Sequence, residues 1–217
     1  MLSPELWAQS LWETLYMVIV STAVSYLIGL PLGLLLVVTD KDGIRPMPLV
    51  NTVLGVIVNI LRSLPFVILM VALIPLTRLI VGKAIGPAAA CVPLIIAAAP
   101  FVARLVESSL SEIDNGVIEA AKCMGATNWQ IITRVMIPEA VPSLIRGLSI
   151  TTITLIGYSA MAGAVGGGGL GDVALRYGYH RYQADVMMIT IVLLVIIVCI
   201  IQIVFDHLAS RVDKRNR

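Results

Sequence analysis

What constrains this chain most is a set of long stretches without a single charged side chain. Residues 14–39, 84–103, 147–171 and 186–205 contain no Asp, Glu, Lys or Arg, and 46–77 is interrupted only by Arg62. A bilayer core about 30 Å thick takes about 20 apolar residues per helix, and lipid offers no partner for a free backbone amide. These stretches therefore specify an all-α integral membrane protein with five transmembrane helices, near residues 14–39, 55–77, 84–104, 146–166 and 186–206. Only 13% of the residues are charged, about half the 25% usual in soluble domains. The net charge of +2 is scattered, which argues against a nucleic-acid partner and leaves membrane lipid as the surrounding medium.

The second segment is the irregular one. Thirty-two residues of helix would run about 48 Å, more than a bilayer core needs, so this segment must tilt, break or begin outside the membrane. Pro65 is the expected break. Arg62 is costly in mid-membrane, so it belongs near an interface or facing the bundle interior. Cys91, Cys123 and Cys199 form no CxxC pair and read as buried small hydrophobes. His180 and His207 stand alone, which gives a metal site no support. The first 13 residues hold Glu5 and Glu13 but no basic residue, so they do not read as a secretory signal.

Five spans put the two termini on opposite sides. Lys41, Arg45, Arg104, Lys122, Arg134, Arg146 and the tail residues Arg211, Lys214, Arg215 and Arg217 fall on one side. Only Arg78, Lys83, Arg176 and Arg181 fall on the other. The positive-inside bias then predicts the N-terminus outside and the C-terminus in the cytoplasm.

On that assignment residues 104–146 form a cytoplasmic segment. Asp114 or Asn115 suits the N-cap of a short helix over 117–124, and Gly125 suits the left-handed residue that closes it. Thr127 with Gln130 three residues later is a capping-box pattern that restarts a helix toward Pro138. Ala120 and Ala121 keep the first helix slim enough for a cleft in another protein.

Glu119-Ala120-Ala121, three residues, Gly125, nine residues and then Val135-Met136-Ile137-Pro138 resembles the EAA loop of ABC importer permeases. That resemblance implies that 112–138 is a coupling segment, with Glu119, Ala120, Ala121, Met124 and Gly125 docking on a cytoplasmic ATPase. The run Arg62-Ser63-Leu64-Pro65-Phe66 is similar to a stretch of permeases that import amino acids. Residues 157–166 with the glycines after them, Ala98 to Phe101 and Tyr177 to Tyr179 resemble the methionine-importing branch. The family then implies one permease domain over 1–217, a homodimer, two cytoplasmic ATP-binding subunits and an extracytoplasmic methionine-binding protein, all at the bacterial inner membrane. No phosphate-loop motif occurs here, and Gly166–Gly169 lacks the lysine such a loop needs. The chain is thus expected to hold no cofactor and hydrolyse nothing, with ATP and Mg bound by the partner.

Residues 147–166 are rich in small and hydroxyl side chains, which allow close helix approach or line a mildly polar path. Met161, Tyr158 and Ser159 are the path or gate candidates. Gly29 with Gly33 reads as a close-packing pair, and Gly163 with Gly167 as part of a dimer centre. Asp172, Arg176, Arg181 and Asp185 are candidates for docking the binding protein. Two rival functions are disfavoured. A serine hydrolase at Ser159 lacks a base at suitable depth, and an ion-coupled channel or carrier lacks a carboxylate in any of the five stretches. Import of a different amino acid is the remaining alternative.

Overall fold

The computed structural model describes residues 2–212, so the tail cations Lys214, Arg215 and Arg217 lie outside the described residues. Helix α1 (Pro4–Thr39) starts ten residues before the uncharged run, because Ser3 accepts a hydrogen bond from the Leu6 amide and Pro4 fits the first turn. Its 36 residues reach about 54 Å and carry Glu5 and Glu13 beyond the apolar run.

The second segment breaks into three helices, α2 (Pro48–Ser63), α3 (Phe66–Ala72) and α4 (Ile74–Val81), so no single helix covers 55–77. The chain turns by 99° between α2 and α3. Pro65 cannot donate an amide, and Leu64 before it is extended. Arg62 is exposed on this chain and does not face its interior.

Helix α5 (Pro87–Ser111) is the central rod, with Leu94, Val102 and Ala103 fully buried. Gly29 and Gly33 let α1 lie directly on it: a methyl group on Gly29 would sit 2.7 Å from the Ala99 carbonyl oxygen, and one on Gly33 would strike Ala103 and Val106. The close-packing reading of this pair holds. Arg104 is a residue of α5, and its guanidinium pairs with Glu107 at 2.6 Å and donates to the Gly55 carbonyl and Asn59 on α2.

A short helix α6 (Asn115–Cys123) and a tight turn lead to α7 (Asn128–Ile131). The chain then widens into a π turn at 132–136 and continues as α8 (Ile137–Gly163). The expected gap between Pro138 and residue 146 does not exist. Pro138 lies within this continuous helix directly after the π turn, where the local widening accommodates its ring and missing amide. A glycine turn follows, then α9 (Gly169–Val173), a second π turn at 174–179 and α10 (Ala184–Val212). Helix α10 is strongly apolar yet almost wholly unburied by this chain, as suits a helix facing lipid. Among the described residues, four helical segments are long and apolar enough to cross a membrane, and five if the bent α2–α3 pair is one span. Cys91 is buried as expected, whereas Cys123 and Cys199 lie on the surface of the chain.

Candidate functional site

Two surfaces carry the residues singled out above. The first is the polar hairpin. Asp114 caps α6 by accepting from the Gly116 amide at 2.7 Å. Gly125 adopts φ +78°, the left-handed conformation that closes the helix, and its amide bonds back to the Lys122 carbonyl. The Thr127 hydroxyl accepts from the Gln130 amide while the Gln130 side chain accepts from the Thr127 amide, a complete capping box.

The orientation of α6 differs from the slim-helix expectation. Ala121 is 3% exposed and packs with Ile113, Ile131, Ile132 and Met136 in a cluster that continues into Val102 and Val106 of α5. Its small side chain seats the helix on its own bundle. The outward face presents Glu119, Ala120 and Met124. Trp129, also exposed, extends this surface past the turn. Sequence reasoning passed over Trp129, although an indole in the first turn of a helix within a polar segment was a usable signal. Glu119, on the outward face, also borders with Lys122 a cavity of about 560 Å3 whose other wall includes Asp40, Lys41 and Asp42.

The second surface is a stripe along α8. Ile150, Gly157, Met161 and Ala164 are exposed on it, and a methyl group on Gly157 would meet nothing within 4 Å. The three gate candidates separate. Met161 lies on the open stripe. Tyr158 is half-buried and stacks on Phe66 of α3, with ring centroids 4.6 Å apart and planes within 2°. Ser159 is buried, and its hydroxyl donates to the Ile156 carbonyl. Ser149, Thr151 and Thr152 are also inside the chain, and the Thr151 and Thr152 hydroxyls bond their own helix. Thr154, between Ile150 and Gly157, is the hydroxyl that stays on this face, bonded to the Ile150 carbonyl at 2.8 Å, and most of the others expected to line the stripe are not on it.

Gly163 and Gly167 also serve the chain's own interior. A methyl group on Gly163 would strike the Asp172 amide and Gly171, and one on Gly167 the Ala162 carbonyl. The expected dimer-centre role gives way to this packing of α8 on α9. Asp172 and Arg176 belong to helix rather than loop and are paired at 2.9 Å. Arg181 lies over the Tyr177 ring, 4.6 Å from its centroid. Among the described residues no cluster of His, Cys, Asp and Glu could hold a metal ion.

A family model described as "Binding-protein-dependent transport system inner membrane component" matches residues 29–217, from the middle of α1 through both surfaces. The chain belongs to that family. It is accordingly a multi-pass inner-membrane component of a transport system. Similar members include a probable D-methionine transport system permease protein of Vibrio cholerae, 53% identical over 99% of this chain and 95% of the relative. A methionine import system permease protein of Bacillus subtilis is 49% identical over 97% of this chain and 95% of the relative. A solved chain from an inward-facing methionine ABC transporter superposes with a TM-score of 0.96 at 50% identity, covering 99% of this chain and all of that one. A chain from a more distant amino acid ABC transporter gives a TM-score of 0.79 at 20% identity over 95% and 94% of the two chains, which marks the shared fold.

Proposed function

We propose that this chain is the permease subunit of an ATP-driven methionine importer that accepts the L and D isomers; D-methionine is the isomer named in several of its relatives. Two copies pair around the α8 stripes and enclose the path, with Met161 at the narrowing. The N-terminus is outside and the C-terminus in the cytoplasm, a reading the distribution of Lys and Arg supports. Two ATP-binding subunits sit beneath and hold the nucleotide and Mg, and an external methionine-binding protein delivers substrate.

The observation that carries the coupling role is the outward face of α6. Glu119, Ala120 and Met124 stand free on a helix fixed from behind by Ala121 and closed at Gly125. A helix so anchored moves with the bundle when its free face is pushed. The segment 112–138, with Glu119, Ala120, Met124 and Gly125 in contact and Ala121 as the seat, passes that motion into α8 without a break.

Vesicles holding the permease, its ATPase and the binding protein should accumulate labelled methionine only with ATP. Glu119→Lys should abolish uptake while leaving the permease inserted. Uptake without the ATPase would assign a self-sufficient carrier, and wild-type uptake by Glu119→Lys would remove α6 from coupling.

A further inference from the structure

A cavity of about 330 Å3 opens beyond Ala164, where α8 ends, with Asp172, Arg176, Leu175 and Tyr179 on its walls. Small-ligand sites occupy about 300–1,000 Å3 and combine apolar walls with a few convergent polar groups. This cavity fits that description. It also adjoins the open stripe, because Ala164 belongs to both.

The chemistry on each side is complementary. The stripe from Ile150 to Ala164 offers no charge, yet a free amino acid is a zwitterion whose two charges are costly to leave unpaired in an apolar passage. Asp172 and Arg176 are the charged pair at the stripe's end, with Arg176 Nη2 2.9 and 3.1 Å from the two carboxylate oxygens. Neither is locked away: the Asp172 side chain is 20% exposed and that of Arg176 58%. A zwitterion can exchange this one ion pair for two, its ammonium on Asp172 and its carboxylate on the planar guanidinium fork, with no change in net charge. Leu175 and Tyr179 supply apolar surface for the side chain. The floor is fixed, because Gly163 allows the Asp172 backbone to touch α8 directly. The π turn at 174–179 that carries Arg176 is itself a form often found at functional sites.

We infer that Asp172 and Arg176 form an entry site for a zwitterionic amino acid at the external mouth of the path. This rests on the transport reading above and adds the groups that meet the substrate's two charges. The test uses the permease–ATPase complex in nanodiscs without the binding protein, measuring displacement of labelled methionine by methionine, its methyl ester and its N-acetyl derivative. Wild type should prefer free methionine to the ester by about tenfold or more, because a site built for a charged group rejects the analogue lacking it. Arg176→Ala should bring that preference close to one, and Arg176→Lys should keep part of it. Asp172→Asn should remove the preference over the N-acetyl derivative. If Arg176→Ala does not assemble with the ATPase, Arg176→Gln carries the same test. Unchanged preferences in these variants, or no saturable binding by wild type at millimolar methionine, would overturn the site. A separate pull-down with the binding protein reads the docking alternative: loss of its capture by these variants with analogue selectivity intact would overturn the site. ATP-driven uptake is measured in parallel in sealed vesicles holding the wild-type permease, its ATPase and the binding protein, and its absence would refute the transport reading separately.

Discussion

The carboxylate of Glu13 on α1 accepts a hydrogen bond from the backbone amide of Gly169 at 2.8 Å, across 156 residues of sequence. Its other oxygen accepts from Gln9 at 2.9 Å, and the Thr14 hydroxyl takes the next amide, that of Leu170, at 2.8 Å. The first two amides of α9 have no partner within their own helix, so α1 supplies both. Gly168 and Gly169 have positive φ, and side chains there would strike Glu13 and Thr14. One end of α1 thereby holds the turn between the Met161 stripe and the Asp172–Arg176 pair.

Glu13→Ala should therefore lower the thermal stability of the detergent-solubilised permease by about 1–3 kcal/mol, the range for an amide left without its charged acceptor. Glu13→Gln keeps an oxygen acceptor and should recover most of the loss. Equal melting temperatures for Glu13→Ala and wild type would mean that water replaces the carboxylate without cost.

The α1–α5 contact makes a sharper prediction. Gly33→Leu should prevent folded permease from accumulating, because the side chain would have to displace Ala103 backbone and Val106. Overpacking typically costs 1–3 kcal/mol, and more when the obstacle is backbone. Gly157→Leu is the control: its position is open on this chain, so yield and monomer integrity should be preserved while uptake falls if two stripes meet there. Equal yields for the two variants, scored by membrane immunoblot and size exclusion, would count against the contact.

Much of this was legible in the sequence because the signals were local. Uncharged length marked the membrane segments, Pro65 marked the break, and Asp114, Gly125 and the Thr127–Gln130 pair wrote the hairpin cap by cap. The failures concern relations between distant segments. No local pattern links Glu13 to Gly169, or shows that Gly163 serves Asp172 rather than a second copy. Nor does composition reveal which side of α8 faces inward: Ser159 and Met161 are two residues apart, about 200° around a helix of 3.6 residues per turn, and take opposite environments. The same ambiguity misplaced Ala121, whose small size suits a partner's cleft and its own core equally.

Gly125 separates backbone strain from surface chemistry. At φ +78° an L side chain costs roughly 1–2 kcal/mol, and Asn tolerates the conformation better than a branched residue. Gly125→Val should impair both stability and ATP-driven uptake, whereas Gly125→Asn should leave the permease nearly as stable as wild type. Open space surrounds the position, so sterics within the chain do not confound the comparison. Matching stability losses for Val and Asn, measured by thermal unfolding, would show that the turn rearranges without strain.

Met161 and Ser159 provide the corresponding contrast within one helix turn. Met161 is 47% exposed and Ser159 1%, so removing each side chain acts on a different link. Met161→Ala deletes a flexible side chain from the open stripe and disturbs little of this chain's core. Its expected result is near-wild-type stability with looser coupling, read as a higher basal ATPase rate and a smaller stimulation by loaded binding protein. Ser159→Ala removes a hydroxyl bonded to its own helix at the Ile156 carbonyl. The loss is about 1 kcal/mol or less, with the ratio of stimulated to basal rate unchanged. If Met161→Ala left both rates unaltered, the stripe would be a packing surface, and the narrowing of the path would have to be sought elsewhere on α8.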